Sequence, residues 1–102
     1  MHARHVAIRI KGGEVPRARE IFENGALPAL AAQPGFRGAC LLADDASGEG
    51  AIVILWEHAE DSRRLEAAGF YKEQIARFAQ VFAAPPYPAL MRVQVWSVGA
   101  TP

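Results

Sequence analysis

From His5 to Lys11 the chain alternates, Val6, Ile8 and Ile10 facing one way and His5, Ala7, Arg9 and Lys11 the other. This is the two-residue period of a half-buried strand, and Gly12-Gly13 closes it. A helical period follows. Val15, Ala18 and Phe22 share a face, Arg17, Arg19, Glu20 and Glu23 lie mostly elsewhere, and Pro16 suits a first turn. Asn24-Gly25 and Pro28 predict a break or kink, because proline lacks an N–H and its ring crowds the carbonyl four residues back. A second helical piece should reach Ala32, stopped by Gln33-Pro34-Gly35.

Phe36 to Ala43 reads as strand two, with Phe36, Gly38, Cys40 and Leu42 on one side. The polar, glycine-rich stretch 44–50 is a hairpin loop, and strand three spans Ala51 to Glu57. Its run Ala51-Ile52-Val53-Ile54-Leu55-Trp56 is apolar throughout, as expected of a strand covered on both faces. Asp61 or Ser62 can cap helix two, whose stripe is Tyr71, Ile75, Phe78, Ala79 and Phe82, with a kink at Gly69. The proline-dense stretch 84–88 is an extended connector into strand four, Leu90 to Val98.

The order βαββαβ gives a ferredoxin-like α+β fold, a four-stranded antiparallel sheet with both helices on one face. Val6, Ile8 and Ile10 with Met91, Val93 and Val95 are expected beneath the helices. The other face then carries His5, Ala7 and Arg9 with Arg92, Gln94 and Trp96. Half of the apolar run of strand three also belongs to that uncovered face, which is more than a monomer usually leaves wet. A second copy placed sheet to sheet about a two-fold axis covers it, so a homodimer closing into an α/β barrel is expected.

Composition narrows the class. The 102 residues carry 11 Lys plus Arg against 11 Asp plus Glu, and 51% are hydrophobic, so one core and a single domain over 1–102 are expected. A net charge of zero removes the basic field of a nucleic-acid or membrane-surface binder, and neither partner is expected. No apolar run approaches the roughly 18 residues of a membrane helix. The single Cys40 has no intramolecular partner, which fits a reducing, cytoplasmic setting.

With these elements placed, the chain resembles the antibiotic biosynthesis monooxygenase-like domains of the dimeric α/β barrel fold. The resemblance covers nearly the whole chain. It rests on Pro34-Gly35-Phe36-Arg37-Gly38 opening strand two, Val53-Ile54-Leu55-Trp56-Glu57 ending strand three, and the amphipathic helix after His58. Many members of that family oxygenate aromatic or polyketide substrates without metal or flavin, and others degrade haem. The resemblance thus implies a barrel cavity for a small molecule and no cofactor. The haem degraders use a strand-one Asn and a Trp and a His on helix two. Residues 59–84 contain neither Trp nor His, and His5 falls near the Asn position. Tyr71 lies near a position where some polyketide oxygenases carry a functional Tyr, whereas their neighbouring Trp is missing.

Candidate chemistry gathers on the face opposite the helices. His5 could serve as a general base, its ordinary pKa of ~6.5 suiting a phenol or activated methylene; the other reading is an exposed strand-start histidine. Arg9 or Arg92 could stabilise a developing oxyanion, with Gln94 and Trp96 completing a pocket; otherwise Arg92 and Gln94 simply reach water at a sheet edge. Trp56 and Tyr71 could shape the pocket, or serve only as core and stripe residues. A substrate-binding barrel with His5 and Arg92 as catalytic groups is therefore the expectation, against a non-catalytic dimeric binding or structural module. Cys40 reads as a small buried hydrophobe. Asp44, Asp45 and Glu49 lack the spacing of a calcium loop, and His2, His5 and His58 that of a zinc site, so no metal is expected. Aliphatic central strands do not offer the stacking aromatics of RNA-recognition modules, and residues 11–17 lack the paired cysteines of a metallochaperone.

Overall fold

The computed structural model describes residues 1–99. Its elements are β1 (His2–Arg9), α1 (Val15–Ile21), a π-helical turn (Phe22–Ala26), α2 (Leu27–Ala31), β2 (Phe36–Ala43), β3 (Glu49–Trp56), α3 (Ala59–Ala67), α4 (Phe70–Ala76) and β4 (Tyr87–Arg92). The strands form one antiparallel sheet ordered β2-β3-β1-β4. This is the ferredoxin-like arrangement that the element order predicts. Val6, Ile8, Ile52, Ile54 and Trp56 pack from the sheet against Phe22, Leu30, Leu65, Tyr71 and Phe78 from the helical side, in a single core.

Several boundaries and faces differ from the sequence reading. β1 begins at His2 instead of His5, because its pairing with β3 continues to His2↔Trp56. β4 occupies Tyr87–Arg92 instead of Leu90–Val98. Pro88 sits within it, which is tolerated because β4 is an edge strand and one side of its backbone needs no donor. Gln94 and Trp96 therefore lie beyond the sheet ladder.

The β4 register also reverses the expected faces. Directly opposed residues share a face, and the pairs are His2↔Arg92, Ala3↔Met91, Arg4↔Leu90 and His5↔Ala89. Arg92 thus belongs to the helix-facing side with His2, and Met91 to the uncovered side. In β2 a bulge between Phe36 and Gly38 inserts Arg37 and turns Phe36 towards the helices, where its ring meets Trp56 edge-on at 6.0 Å. Phe36 does not share a face with Gly38, Cys40 and Leu42 as the alternation predicts.

Pro28 does not break the first helical run. The backbone widens into a π turn, with the Leu27 N–H donating to the Phe22 carbonyl five residues back, and this shifts the register just before the proline. Gly25 lies in that turn beside the Arg77 side chain, whose guanidinium nitrogen is 2.8 Å from where a Cβ would stand. In the second run Gly69 adopts φ 78° and divides α3 from α4 at the expected kink. The N-cap of α3 is His58 instead of Asp61 or Ser62. Asp61 serves as the third helical residue and accepts the His58 backbone N–H at 3.0 Å. Among the described residues no helix is long and apolar enough to cross a membrane.

Candidate functional site

The helix-facing side of the sheet is apolar except at one end. There the register aligns Phe36, Trp56, His2 and Arg92 in one row across the four strands, with Arg4 in the next row opposite Ile54 and Leu90. Arg4 occupies the same alternating face as Val6 and Ile8, so a cation is directed into the layer between sheet and helices. It is held there by a ring. The Arg4 guanidinium carbon lies 3.6 Å from the centroid of Tyr71, a cation–π contact, and one terminal nitrogen lies 3.3 Å from Glu66 Oε2.

Tyr71 reaches this position because Gly69 turns the chain before α4 begins. Its hydroxyl shares a 2.7 Å hydrogen bond with Ser62 Oγ of α3. Ser62 is 2% and Tyr71 5% exposed, so this bond is sealed from water. Burial pushes the Tyr71 phenol above its ordinary pKa of 10.0, opposed by the Ser62 hydrogen bond, the Arg4 charge and the Trp56 indole N–H. At neutral pH Tyr71 is therefore a neutral hydroxyl that can donate or accept a hydrogen bond, and not a base.

Among the described residues, His2 Nδ1 and Arg4 Nε are buried at this end without a hydrogen-bond partner, and Trp56 Nε1, which makes no well-formed hydrogen bond, has the Tyr71 hydroxyl as its neighbour. An orphaned buried donor costs about 1–3 kcal/mol, so the bare Arg4 Nε marks either strain or a place for an acceptor. Trp56 is fully buried.

Beside this polar end lies a small internal cavity of about 30 Å³, walled by Val6, Phe22, Ala26, Ile54 and Phe78 with Arg4, Tyr71 and Gln74 as its polar lining. The π turn contributes Phe22 and Ala26 to the wall. On the outer side of Arg4, Tyr71 and Ile75 an open depression of about 360 Å³ is bounded by Glu66, Lys72, Pro86 and Pro88. The same three side chains line both spaces, so they form the partition between them. The inner cavity has room for about one water; an aromatic guest requires the partition to move.

The sequence-predicted residues divide between the two faces. Trp56 and Tyr71 come together on the helix-facing side. Arg92 is on that side too, at the exposed edge, and not beside His5. His5 lies on the opposite face, paired with Val53 and Ala89. Arg9 is on that face as well, where an exposed ion pair with Glu49 at 2.7 Å occupies it. Gln94 is exposed past the end of β4. Trp96 lies with Arg37, Val53, Leu55 and Cys40 around a shallow groove of about 330 Å³ on the uncovered face, and Cys40 is exposed there instead of buried. His5, Arg9, Arg92, Gln94 and Trp96 thus do not form one pocket with Trp56 and Tyr71 within a protomer. Among the described residues no group of three or more His, Cys, Asp or Glu could hold a metal ion.

Arg4 and Ser62 were not singled out as site residues by sequence reasoning. Arg4 had a signal available: it continues the even-numbered apolar set of Val6, Ile8 and Ile10 by one step, and a charge on a core-facing position needs a reason. Starting the strand at His5 hid it.

No family model and no curated protein matches the sequence. Solved structures do match. A monooxygenase from the gene ActVA-Orf6 of Streptomyces coelicolor, in complex with nanaomycin D, superposes with a TM-score of 0.76 at 16% identity over 97% of this chain and 92% of that one. SnoaB, a cofactor-independent oxygenase from Streptomyces nogalater, gives 0.74 at 17% identity over 93% and 94%. The haem degrader MhuD of Mycobacterium tuberculosis gives 0.69 at 24% identity over 97% and 100%. At these identities the likeness is one of fold, and it runs the length of both chains: the protein has the ferredoxin-like α+β fold of the antibiotic biosynthesis monooxygenase-type domains.

Proposed function

We propose that the protein is a homodimeric small-molecule-binding domain whose ligand, a compact aromatic or polyketide-type compound, occupies the space between helices and sheet, and that it acts on that ligand as a cofactor-independent monooxygenase. The observation that carries the reading is the unpartnered buried Arg4 Nε, with the Trp56 indole N–H and the Tyr71 hydroxyl beside it, at the polar end of an apolar cavity. An oxygenated ring would place its carbons on Val6, Phe22, Ile54 and Phe78 and its oxygens on those donors. Two structural neighbours being oxygenases, one of them bound to nanaomycin D, supports the ligand class.

In such a reaction the substrate carbon gives its proton to water admitted from the outer depression, and the carbanion passes electrons to dioxygen. One oxygen atom ends in the new carbonyl and the other in water. Arg4 and Trp56 would stabilise the enolate oxygen formed on deprotonation, and Tyr71 would orient it. The uncovered face, bearing His5, Cys40, Leu42, Val53, Leu55 and Met91, serves the dimer in this reading. The alternative is a non-catalytic binding module with the same cavity.

Oxygen uptake with a panel of anthrones and hydroquinones tests the assignment. Uptake that falls by about a hundredfold in Trp56→Phe, with His5→Ala unaffected, supports the oxygenase on this face. Saturable binding without uptake supports the binder, and no binding by folded protein removes the cavity reading.

A further inference from the structure

The partition between cavity and depression carries an unusual charge. The Arg4 side chain is only 11% exposed, whereas its partner Glu66 is 57% exposed and holds it through one terminal nitrogen. Arg4 Nε is left bare and buried. The ionic groups around the depression are Arg4, Lys72 and Glu66, two cations against one anion. Tyr71, the remaining titratable neighbour, is neutral. A guanidinium presents its donors as a planar fork suited to anionic oxygen, and here the fork is only partly used.

We propose that Arg4 is the specificity-determining residue of this site and selects ligands carrying an anionic oxygen on an aromatic ring. The oxygen takes the Arg4 Nε–H and displaces Glu66 towards solvent, while Tyr71 and Ile75 part from Arg4 to admit the ring to the apolar cavity. The inference rests on the cavity reading above and adds to it the charge of the ligand and the residue that reads it. Glu66 becomes the internal competitor: at rest it neutralises Arg4, and it leaves when a better-placed anion arrives.

Calorimetric titration with 1-naphthoate and its neutral relative 1-naphthalenemethanol tests this, using wild type, Arg4→Gln and Glu66→Gln, with circular dichroism reporting the fold. Wild type should bind naphthoate at least roughly tenfold more tightly than the alcohol, as expected of a charge-assisted contact in a desolvated site. Glu66→Gln should tighten naphthoate by about three- to tenfold and leave the alcohol unchanged. Arg4→Gln should abolish the preference. Equal affinities for the two probes, unmoved by Glu66→Gln, would overturn the inference and leave the cavity reading standing. Binding of neither probe by folded wild type overturns both. Should Arg4→Gln fail to fold, Glu66→Gln still decides, because that position is exposed and bears on Arg4 alone among the ion pairs found.

Discussion

Ser62 and Tyr71 share a single buried hydrogen bond, and the energetics of such a bond are asymmetric. Removing one hydroxyl strands the other, whereas removing both leaves nothing to satisfy. Ser62→Ala should therefore destabilise the fold by about 1–3 kcal/mol. The double variant Ser62→Ala/Tyr71→Phe should cost clearly less than the sum of the single changes, as a double-mutant cycle from urea unfolding would show. Gly35 is constrained in another way. It adopts φ 85°, and a Cβ there would run into the Asp61 carboxylate. Gly35→Ala meets both backbone strain and a clash, so a loss of about 2 kcal/mol or more is expected in chemical denaturation. Ser62 draws attention in the sequence only as a cap, and Gly35 only within the Pro34–Gly38 segment that opens strand two. Trp56 and Tyr71 do, as large aromatics at the ends of apolar runs. Which face they share with Arg4 became visible only with the strand register.

Among the elements, α3 depends on a carboxylate. Asp61 accepts the His58 N–H and also meets Arg64 at 3.1 Å. These contacts, the His58 hydrogen bond first, hold its carboxyl below the ordinary 3.8. A carboxyl whose pKa is lowered by folding contributes stability above its unfolded value and loses it as pH falls through the folded one. Unfolding midpoints measured from pH 7 down to pH 2 should thus decline below about pH 4. Asp61→Asn should be less stable at pH 7 and show a shallower decline. The elements themselves were largely legible. Strand two runs from Phe36 to Ala43 as the alternation predicts, and the kink at Gly69 is where a lone helical glycine suggests it. The strand faces were legible only where the alternation is uninterrupted. The Arg37 bulge reverses Phe36 relative to Gly38, a two-for-one count that no periodicity reveals. In β4 the apolar series Met91, Val93, Val95 resembles a core stripe, yet the pairing of Ala3 with Met91 sends it to the other face. The register puts Pro88, Leu90 and Arg92 on the helix side of this edge strand and Met91 on the far side.

At the scale of the whole molecule, that far side is the least finished surface. Leu42 is 54% and Met91 52% exposed there, with Val53 and Leu55 half-buried beside them. If a second copy covers this face, light scattering at low micromolar concentration should give twice 11.0 kDa. Val53→Glu, which places a charge at its centre, should return the monomer mass without disturbing the helix-side core, because a desolvated unpaired charge is not tolerated in such an interface. A monomer in wild type would remove the barrel from the reading. The sheet has one further property that the residue order conceals. Strands β1 and β4, first and last in the chain, lie side by side, and the Val93 N–H donates to the Met1 carbonyl at 2.9 Å. A permuted chain, its old ends joined and new ones cut at the exposed Gly12-Gly13 turn, would turn the pairing most distant in sequence into a local hairpin and leave the β2–β3 hairpin intact. Such a protein should keep the same sheet and reach it faster, since folding rate rises as contacting residues draw together along the chain.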